Sequence, residues 1–349
     1  MTFTPLGRYL ATLCAGLLLA ASASAQSQDA LNTQLSAPQP VLTGDVDVTV
    51  HLTVHNPTRQ PMRLLTWQLP GQKLPSPLFA ITRDGQPVDY LGPLVKRTPP
   101  QDKDYVRLEP GATLSYDVEL TGTYDLSRDG RYDIRYIGLD SHTAAKVSVD
   151  AAPLTLWLQG RSARYVRSPA PLPQATTGGS ISFTGNCSAA RQTTLTDAVA
   201  AATHYTNESL NHLGSTRSPT ERYITWFGAF SVANRKTATQ HYEAALEAFR
   251  NRPLTLDCSC TDSYYAYVYP SQPYKIYLCN AFWAAPMTGT DSKGGTLVHE
   301  MMHFTVVAGT NDWAYGQAAA RALAISNPTR ALNNSDNHEY LAENTPPLP

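Results

Sequence analysis

Two histidines four residues apart are the part of this chain best suited to chemistry. They belong to the run His299-Glu300-Met301-Met302-His303. On a helix, residues four apart share a face, so His299 and His303 can reach one ion together. Two neutral imidazoles suit zinc, and Glu300 stands beside them to take a proton from a water that the ion polarises. The pattern predicts a zinc site on a helix, with two core histidines of an amphipathic helix as the alternative.

The third ligand distinguishes classes of zinc site, and the sequence offers two acidic candidates. A histidine six residues after His303 is excluded, because position 309 is a glycine. Glu339 lies 36 residues beyond His303, and Asp312 lies nine residues beyond it. Two glycines flank Asp312 and allow the tight reversal that returns this loop to the motif helix. Tyr315 follows three residues later, so its hydroxyl can reach the same site.

Several motifs in this part of the chain resemble the deuterolysin-type zinc endopeptidases, also called aspzincins. The similarity rests first on His-Glu-x-x-His together with Gly-Thr-Asn-Asp-Trp-Ala-Tyr-Gly at residues 309–316. Further matching motifs lie at residues 225–228, 266–270, 278–283 and 335–340. The match is closest to the peptidyl-Lys metalloendopeptidases. It covers about residues 180–349 and, more weakly, the preceding half, which resembles the prosegment of bacterial relatives.

The resemblance implies a role for each residue near the motif helix. His299, His303 and Asp312 would bind one zinc ion per chain. Glu300 would be the general base that activates water. Tyr315 would stabilise the oxyanion of the tetrahedral intermediate.

The resemblance also assigns a substrate pocket to two acidic residues. Asp336 and Glu339 would receive the lysine that follows the scissile bond, since a desolvated ammonium needs opposite charge and hydrogen bonds. Spacing alone favours another interpretation, in which Asp336 is a helix N-cap and Glu339 completes a capping box.

The amino terminus has the three parts of an export signal. Arg8 supplies a positive charge, residues 10–21 form an apolar run, and residues 23–25 are the small residues that a signal peptidase accepts. The apolar run is short for a membrane span of about 20 residues. We therefore predict a signal peptide over residues 1–25 and a secreted, extracellular product.

Cysteine usage is typical of an exported protein. Cys14 lies inside the predicted signal, and the remaining cysteines are Cys187, Cys258, Cys260 and Cys279. An even number in an oxidising compartment predicts two disulfides. Three pairings are open, and a bridge from Cys258 to Cys260 is disfavoured by strain across one intervening residue. Similarity to the aspzincins implies the pairs Cys187–Cys258 and Cys260–Cys279.

Sequence patterns divide the chain into two domains. Alternating apolar and polar residues, as in 46–54 and 132–136, predict short strands separated by Asp-Gly turns. After a Pro- and Gly-containing linker, helical spacing dominates at 189–213, 242–249, 296–307 and 313–325. We predict an all-β sandwich of immunoglobulin-like type followed by a mainly α (α+β) zincin catalytic domain. The predicted boundaries are signal peptide 1–25, prosegment 26–160, linker with processing site 161–182 and catalytic domain 183–349.

Charge and lysine placement indicate the partners. A net charge of −1 gives no reason to expect nucleic acid or an anionic membrane as partner. We expect a monomer that acts on protein and peptide substrates, with its own prosegment as intramolecular inhibitor. Lys96 and Lys103 lie between predicted strands beside prolines, and one of them is a candidate to fill the acidic pocket. An ordinary solvated loop is the alternative, because exposed lysines are common.

Taken together, the resemblance implies a secreted zinc-dependent endopeptidase, made as a proenzyme, that hydrolyses peptide bonds on the amino side of lysine. One alternative is a secreted zinc endopeptidase of broad specificity. Another is a non-catalytic secreted binding protein with a degenerate protease-like domain. The intact set of metal-binding and catalytic residues favours an enzyme, because a degenerate site usually lacks one of them.

Overall fold

The structure is a computed structural model that describes residues 1–2, 31–71, 74, 76–139, 153–162, 179–215 and 218–349. Residues 3–25 of the predicted signal peptide lie outside the described residues, as do residues 163–178 of the predicted linker. The domain boundaries drawn through these segments stay predictions.

The amino-terminal region is rich in β-strands, as the alternating patterns predict. Short 3-10 helices lie at Thr66–Gln68 and Asp102–Asp104. The strands are β1 (Asn32–Ser36), β2 (Val41–Thr43), β3 (Thr49–His55), β4 (Met62–Leu65), β5 (Phe79–Arg83), β6 (Gln86–Pro87), β7 (Leu94–Lys96), β8 (Tyr105–Leu108), β9 (Thr113–Glu119), β10 (Gly130–Tyr136) and β11 (Leu154–Gln159). One sheet has the strand order β1-β3-β9 and another the order β2-β11-β10-β5-β6, while β4 pairs with β8.

Burial follows the alternation of the sequence in these strands. Val50, Leu52 and Val54 of β3 are fully buried, whereas the residues between them are half-buried. β3 pairs antiparallel with β9, with Leu52 opposite Tyr116. Its apolar face shares one core with residues of the other sheet, such as Ile134. Each such side chain stabilises the fold by about 1.5–3 kcal/mol. The shared core agrees with the β-rich part of the prediction; the immunoglobulin-like type stays a prediction.

The carboxy-terminal region combines helices with a sheet. Its strands are β12 (Ile181–Thr184), β13 (Leu254–Asp257), β14 (Ala266–Val268) and β15 (Lys275–Leu278). Its helices are α1 (Ala189–Ser215), α2 (Glu221–Phe227), α3 (Val232–Asn251), α4 (Asn280–Ala284), α5 (Lys293–His303), α6 (Gln317–Ser326), α7 (Pro328–Leu332) and α8 (Ser335–Glu343). α5 packs against α1, α3 and α8, so the motif helix lies inside the helical layer.

A strand of the amino-terminal region completes the sheet of the carboxy-terminal region. The order is β12-β13-β15-β14-β7. β7 pairs antiparallel with β14, with Val95 opposite Tyr267 and Lys96 opposite Ala266. The backbone N–H of Tyr265 also donates to the carbonyl of Lys96 at 3.0 Å. The two regions are therefore joined by backbone hydrogen bonds as well as by side chains.

Two disulfides join the strands and the loops near them. The pairs are Cys187–Cys258, 71 residues apart, and Cys260–Cys279, 19 residues apart. They are the pairs that the aspzincin resemblance implies. Loop-closure entropy gives about 4 kcal/mol for the longer loop and about 3 kcal/mol for the shorter one. The bridges thus tie the start of α1 and the loop before β14 to the sheet.

Two histidines between α3 and α8 predict a loss of stability in acid. His241 Nδ1 lies 3.2 Å from Nε2 of the fully buried His338. Burial lowers the pKa of His241 to about 4, and burial together with His241 lowers that of His338 well below its usual range. The folded state therefore binds fewer protons than the unfolded state between about pH 4 and 6.5, and stability falls as pH drops through this window.

We expect His241→Gln to be less sensitive to acid than the unmodified chain. The free energy of unfolding of the unmodified chain should fall by roughly 2 kcal/mol more than that of the variant between pH 7 and pH 4.5, allowing for partial exposure. Urea titrations of both proteins at the two pH values measure the difference. Parallel pH dependences would show that His241 does not carry the effect.

Candidate active site

Helix α5 carries three of the predicted site residues. It begins after Ser292, whose hydroxyl accepts a hydrogen bond from the backbone N–H of Gly295 and caps the first turn. His299, Glu300 and His303 lie in the later turns and are fully buried. The packing of α5 against α1 and α8 therefore holds these side chains in the interior.

Three side chains with potential ligand atoms converge beside this helix. The Nε2 atoms of His299 and His303 lie 3.1 Å apart. Asp312 Oδ1 lies 3.1 Å from Nε2 of His299, and Asp312 Oδ2 lies 3.3 Å from Nε2 of His303. Ligand atoms about 2.0–2.1 Å from a tetrahedral zinc ion stand about 3.3 Å from one another. The three side chains therefore fit one ion with little rearrangement.

Asp312 reaches the histidines because the chain reverses after α5. Gly309 has a φ of 60° in this turn, a conformation that glycine adopts without strain. Asn334 holds the returning loop, since its side-chain oxygen accepts the backbone N–H groups of Trp313 (2.7 Å) and Ala314 (3.0 Å). These contacts keep the loop out of α6, which begins later than the sequence predicts.

Glu339, the other acidic candidate, meets the opposite nitrogen of His299. Its Oε2 lies 3.2 Å from Nδ1, and Asp336 Oδ1 lies 2.9 Å from the same atom. The ammonium of Lys96 lies against both carboxylates, so this side of His299 already has a cation. Asp312 is the acidic residue whose position fits the third ligand.

Further contacts orient the imidazole rings. Asp336 Oδ1 lies 2.9 Å from Nδ1 of His299, while Nδ1 of His303 lies 2.9 Å from the carbonyl oxygen of Thr310 and 3.0 Å from the hydroxyl of Ser335. A histidine that donates from Nδ1 keeps Nε2 free as a ligand. The contacts thus favour the tautomers that a metal site needs.

Glu300 has no hydrogen-bond donor among the described residues. Both of its carboxylate oxygens and both oxygens of Asp312 are buried without such a partner. Burial raises the pKa of Glu300 well above its usual range. Buried carboxylates without donors are costly, and a cation with a water molecule would supply the missing partners. The nitrogen and oxygen ligand atoms of His299, His303 and Asp312 therefore fit a zinc ion.

Tyr315 faces a peptide bond of the amino-terminal region. Its hydroxyl donates to the carbonyl oxygen of Val95 at 3.0 Å. Its ring meets that of Trp67 edge-on, with the centroids 5.9 Å apart. Burial raises the pKa of Tyr315 well above its usual range, so the hydroxyl keeps its proton. The residue is thus placed to donate a hydrogen bond to a carbonyl oxygen.

Lys96 brings its ammonium to the acidic pair. The side chain is fully buried, and Nζ lies 2.6 Å from Glu339 Oε2 and 3.7 Å from Asp336 Oδ1. Burial alone would lower the pKa of Lys96, but Asp336, Glu339 and Asp291 together hold it well above its usual range. Lys103, the other predicted lysine, is exposed in the 3-10 helix Asp102–Asp104. The structure therefore brings Lys96, and not Lys103, to the carboxylates.

The capping interpretation of Asp336 is wrong. Asn334 is the N-cap residue of α8, although its side chain makes no capping hydrogen bond, and Asp336 lies inside the first turn. Its Oδ2 instead accepts the backbone N–H of Gly316 at 2.6 Å. Asp291 was missed altogether, although its Oδ1 lies 3.3 Å from Nζ of Lys96. Its only sequence signal, a position just before the cap of α5, indicates a helix start and no pocket.

Comparison with known proteins shows the family. Residues 212–343 match the family model described as lysine-specific metallo-endopeptidase, the aspzincins. An extracellular protease of Aeromonas hydrophila is 47% identical to this chain, over 86% of this chain and 89% of the relative. The chain belongs to the aspzincin family. This confirms the resemblance and the prediction of a metalloendopeptidase.

Other aspzincin relatives are named after their specificity or metal. A peptidyl-Lys metalloendopeptidase of Armillaria mellea is 39% identical, over 79% of this chain and 80% of the relative. A solved zinc peptidase from Grifola frondosa is 47% identical and covers 47% of this chain and 100% of its own, with a TM-score of 0.45. As an aspzincin metalloendopeptidase, the chain requires a metal cofactor. Within the described ranges, none of the helices is long and apolar enough to cross a bilayer.

Proposed function

We propose that this aspzincin is a secreted zinc endopeptidase, made as a proenzyme, that hydrolyses peptide bonds on the amino side of lysine. The observation that carries the proposal is the position of the Val95–Lys96 peptide. Its lysine ammonium lies between Asp336 and Glu339, while its carbonyl oxygen accepts the hydroxyl of Tyr315. A substrate needs the same two contacts, one for its lysine and one for the carbonyl that is attacked.

Strand pairing supports the same substrate register. β7 adds to the edge of β14 as an antiparallel strand, the way in which extended peptides commonly bind to a sheet edge. In this register Val95 stands for the residue before the scissile bond and Lys96 for the residue after it. Main-chain hydrogen bonds would give affinity for any extended peptide, and the acidic pocket would select lysine.

The catalytic roles follow from burial and protonation. One zinc ion per chain, held by His299, His303 and Asp312, would supply Lewis acidity toward a water and the substrate carbonyl. Glu300 would accept a proton from the attacking water at a carboxylate oxygen and deliver it to the leaving lysine nitrogen. Burial raises the pKa of Glu300 above its usual range, which makes the carboxylate a stronger base toward a proton of the water.

The hydroxyl of Tyr315 predicts a measurable contribution to the rate. We expect Tyr315→Phe to lower kcat about 100-fold with little change in KM, since a donor to the developing oxyanion acts mainly in the transition state. Steady-state kinetics on a peptide with one lysine measure both constants. A rise in KM at unchanged kcat would instead show that Tyr315 contributes to ground-state binding.

The amino-terminal region, about residues 26–160, would act as prosegment and intramolecular inhibitor. Its Lys96 fills the acidic pocket. The carbonyl oxygen of its Val95 accepts the hydrogen bond that the hydroxyl of Tyr315 would otherwise donate to a substrate. Removal through the proposed linker at 161–182 would free the cleft. An enzyme that cuts only on the amino side of lysine could not make this cut itself, because the chain has no lysine between residues 146 and 236.

Secretion and the substrate class complete the proposal. The signal pattern, the two disulfides and the similarity to an Aeromonas hydrophila protein named extracellular protease support an extracellular enzyme. Relatives named peptidyl-Lys metalloendopeptidase support protein and peptide substrates cut at lysine. We expect a monomer, since the proposed site is assembled from one chain.

A digest of a peptide mixture tests the proposal. The activated protein is compared with Glu300→Gln and with chelator-treated protein, and the products are read by mass spectrometry. New peptides that begin with lysine, absent from both controls, are expected. Cuts before many residue types would support broad specificity, and no cuts by zinc-loaded, activated protein would support the binding-protein alternative.

A further inference from the structure

We propose that Asp291 is a third carboxylate of the lysine pocket and selects an ammonium over the guanidinium of arginine. This inference rests on the proposed function, with Lys96 standing for the lysine of a substrate. Asp291 lies outside every motif that carries the family resemblance. It belongs to the turn that leads into α5, whereas Asp336 and Glu339 belong to α8.

The ammonium of Lys96 is surrounded by acceptors from both elements. Nζ lies 2.6 Å from Glu339 Oε2 and 3.3 Å from Asp291 Oδ1, both within hydrogen-bond distance. Asp336 Oδ1 follows at 3.7 Å. A lysine ammonium has three N–H donors and no acceptor. Without Asp291, α8 alone would supply the acceptors, and one side of the ammonium would lose its partner.

Asp291 is held in place by two contacts from α8. The hydroxyl of Tyr340 donates to Asp291 Oδ1 at 2.7 Å. The backbone N–H groups of Asp291 and Ser292 donate to the carboxylate of Glu343 at 3.0 and 2.8 Å. Gly295 leaves room for this carboxylate, which a Cβ there would strike. The turn is therefore built around Glu343, and the Asp291 side chain is aimed by Tyr340.

The pocket is shaped for a compact cation. Its carboxylate oxygens converge on one nitrogen, and the rings of Tyr265 and Tyr340 lie 5.0 and 5.8 Å from it. Lys96 has no solvent exposure, so a larger head group must displace a wall. A guanidinium is planar and pairs best with two parallel acceptors. Asp291 instead adds a further acceptor at that single nitrogen, from the turn before α5.

Kinetics on three matched peptides test the role of Asp291. The activated protein and its variants cut peptides that differ only after the scissile bond, where lysine, arginine or norleucine stands. We expect Asp291→Asn to lower kcat/KM for the lysine peptide by about 10-fold or more, mainly through KM, and to leave the norleucine peptide unchanged. Asn suits the φ of 51° at this position, so the turn should persist.

Two further variants separate selectivity from structure. Asp291→Ala removes the charge and also the side-chain volume that bounds this side of the pocket. This variant should show a reduced preference for lysine over arginine. Asp262→Asn removes the same charge from an exposed residue of the loop before β14 and should leave all three peptides unchanged.

Three results would overturn the role of Asp291: an unchanged lysine rate in Asp291→Asn, equal losses on lysine and norleucine, or the same loss in Asp262→Asn. The unmodified enzyme provides a separate check. If it does not prefer lysine, the proposed function fails instead.

Discussion

Glu300→Gln is expected to lower kcat about 10³-fold while the zinc content stays at one ion per chain. Glu300 is fully buried beside His299 and His303, yet no described residue donates a hydrogen bond to its carboxylate. Its carboxylate is therefore placed to accept a hydrogen bond from a water molecule and not from a neighbouring side chain. Glutamine has the same size and cannot take up the proton of that water at neutral pH.

The fold of this variant should be intact, which makes the loss interpretable. Burial holds the pKa of Glu300 in the folded state above the pKa of a glutamate in the unfolded chain. The metal-free folded state is therefore progressively destabilised as pH rises above the pKa of the unfolded chain. A neutral glutamine removes this cost, and the metal-free variant should melt at an equal or higher temperature at pH 7.

Metal analysis and kinetics on one lysine peptide decide the role of Glu300. Full zinc content with a rate near that of chelator-treated protein is the expected pair of results. Loss of zinc together with activity would make Glu300 a ligand. Retention of more than about a tenth of the rate would mean that another group moves the proton.

Local patterns predicted the shared helical face of the two histidines at the centre of the candidate site. His299 and His303 share a helical face because they are four residues apart, and helical geometry is set locally. Asp312 lies nine residues after His303, and the pattern alone left it beside Glu339 as a candidate ligand, with Gly309 allowing the chain to reverse toward α5. Burial in β3 likewise follows the alternation in its sequence, because side chains alternate across a strand. Such signals need no knowledge of the rest of the molecule.

The pocket contacts depend on segments far apart in the chain. The Lys96–Asp291 and Tyr315–Val95 contacts join residues 195 and 220 positions apart, and no local pattern reports that distance. Asp336 shows how a local rule fails. Its spacing to Glu339 fits a capping box, but Asn334 is the residue at the N-cap position of α8. The carboxylate of Asp336 instead accepts a hydrogen bond from the backbone N–H of Gly316. Tertiary contacts override the local preference.

Lys96 gives the second large prediction, because it is the cation that three carboxylates share. If the proposed inhibition is correct, Lys96→Met in the full chain loses latency, and its activity on a lysine peptide rises about 100-fold over that of the unmodified full chain. Methionine matches the four-atom apolar stem of lysine and lacks the ammonium. It leaves the carboxylates of Asp291, Asp336 and Glu339 in the closed interface without a counter-charge, which costs about 3–5 kcal/mol for a buried pair.

Lys103→Met is the matched control for this prediction. It removes the same charge from the segment that follows β7, but Lys103 is exposed, whereas Lys96 contacts the carboxylates of the lysine pocket. Initial rates of freshly purified full-length proteins are compared, with chain length checked by mass spectrometry so that processing is not mistaken for release. If Lys96→Met stays as latent as Lys103→Met, strand pairing between β7 and β14 must hold the cleft closed without the lysine. Release in Lys96→Met alone would show that the proenzyme is inhibited by the residue its own pocket selects.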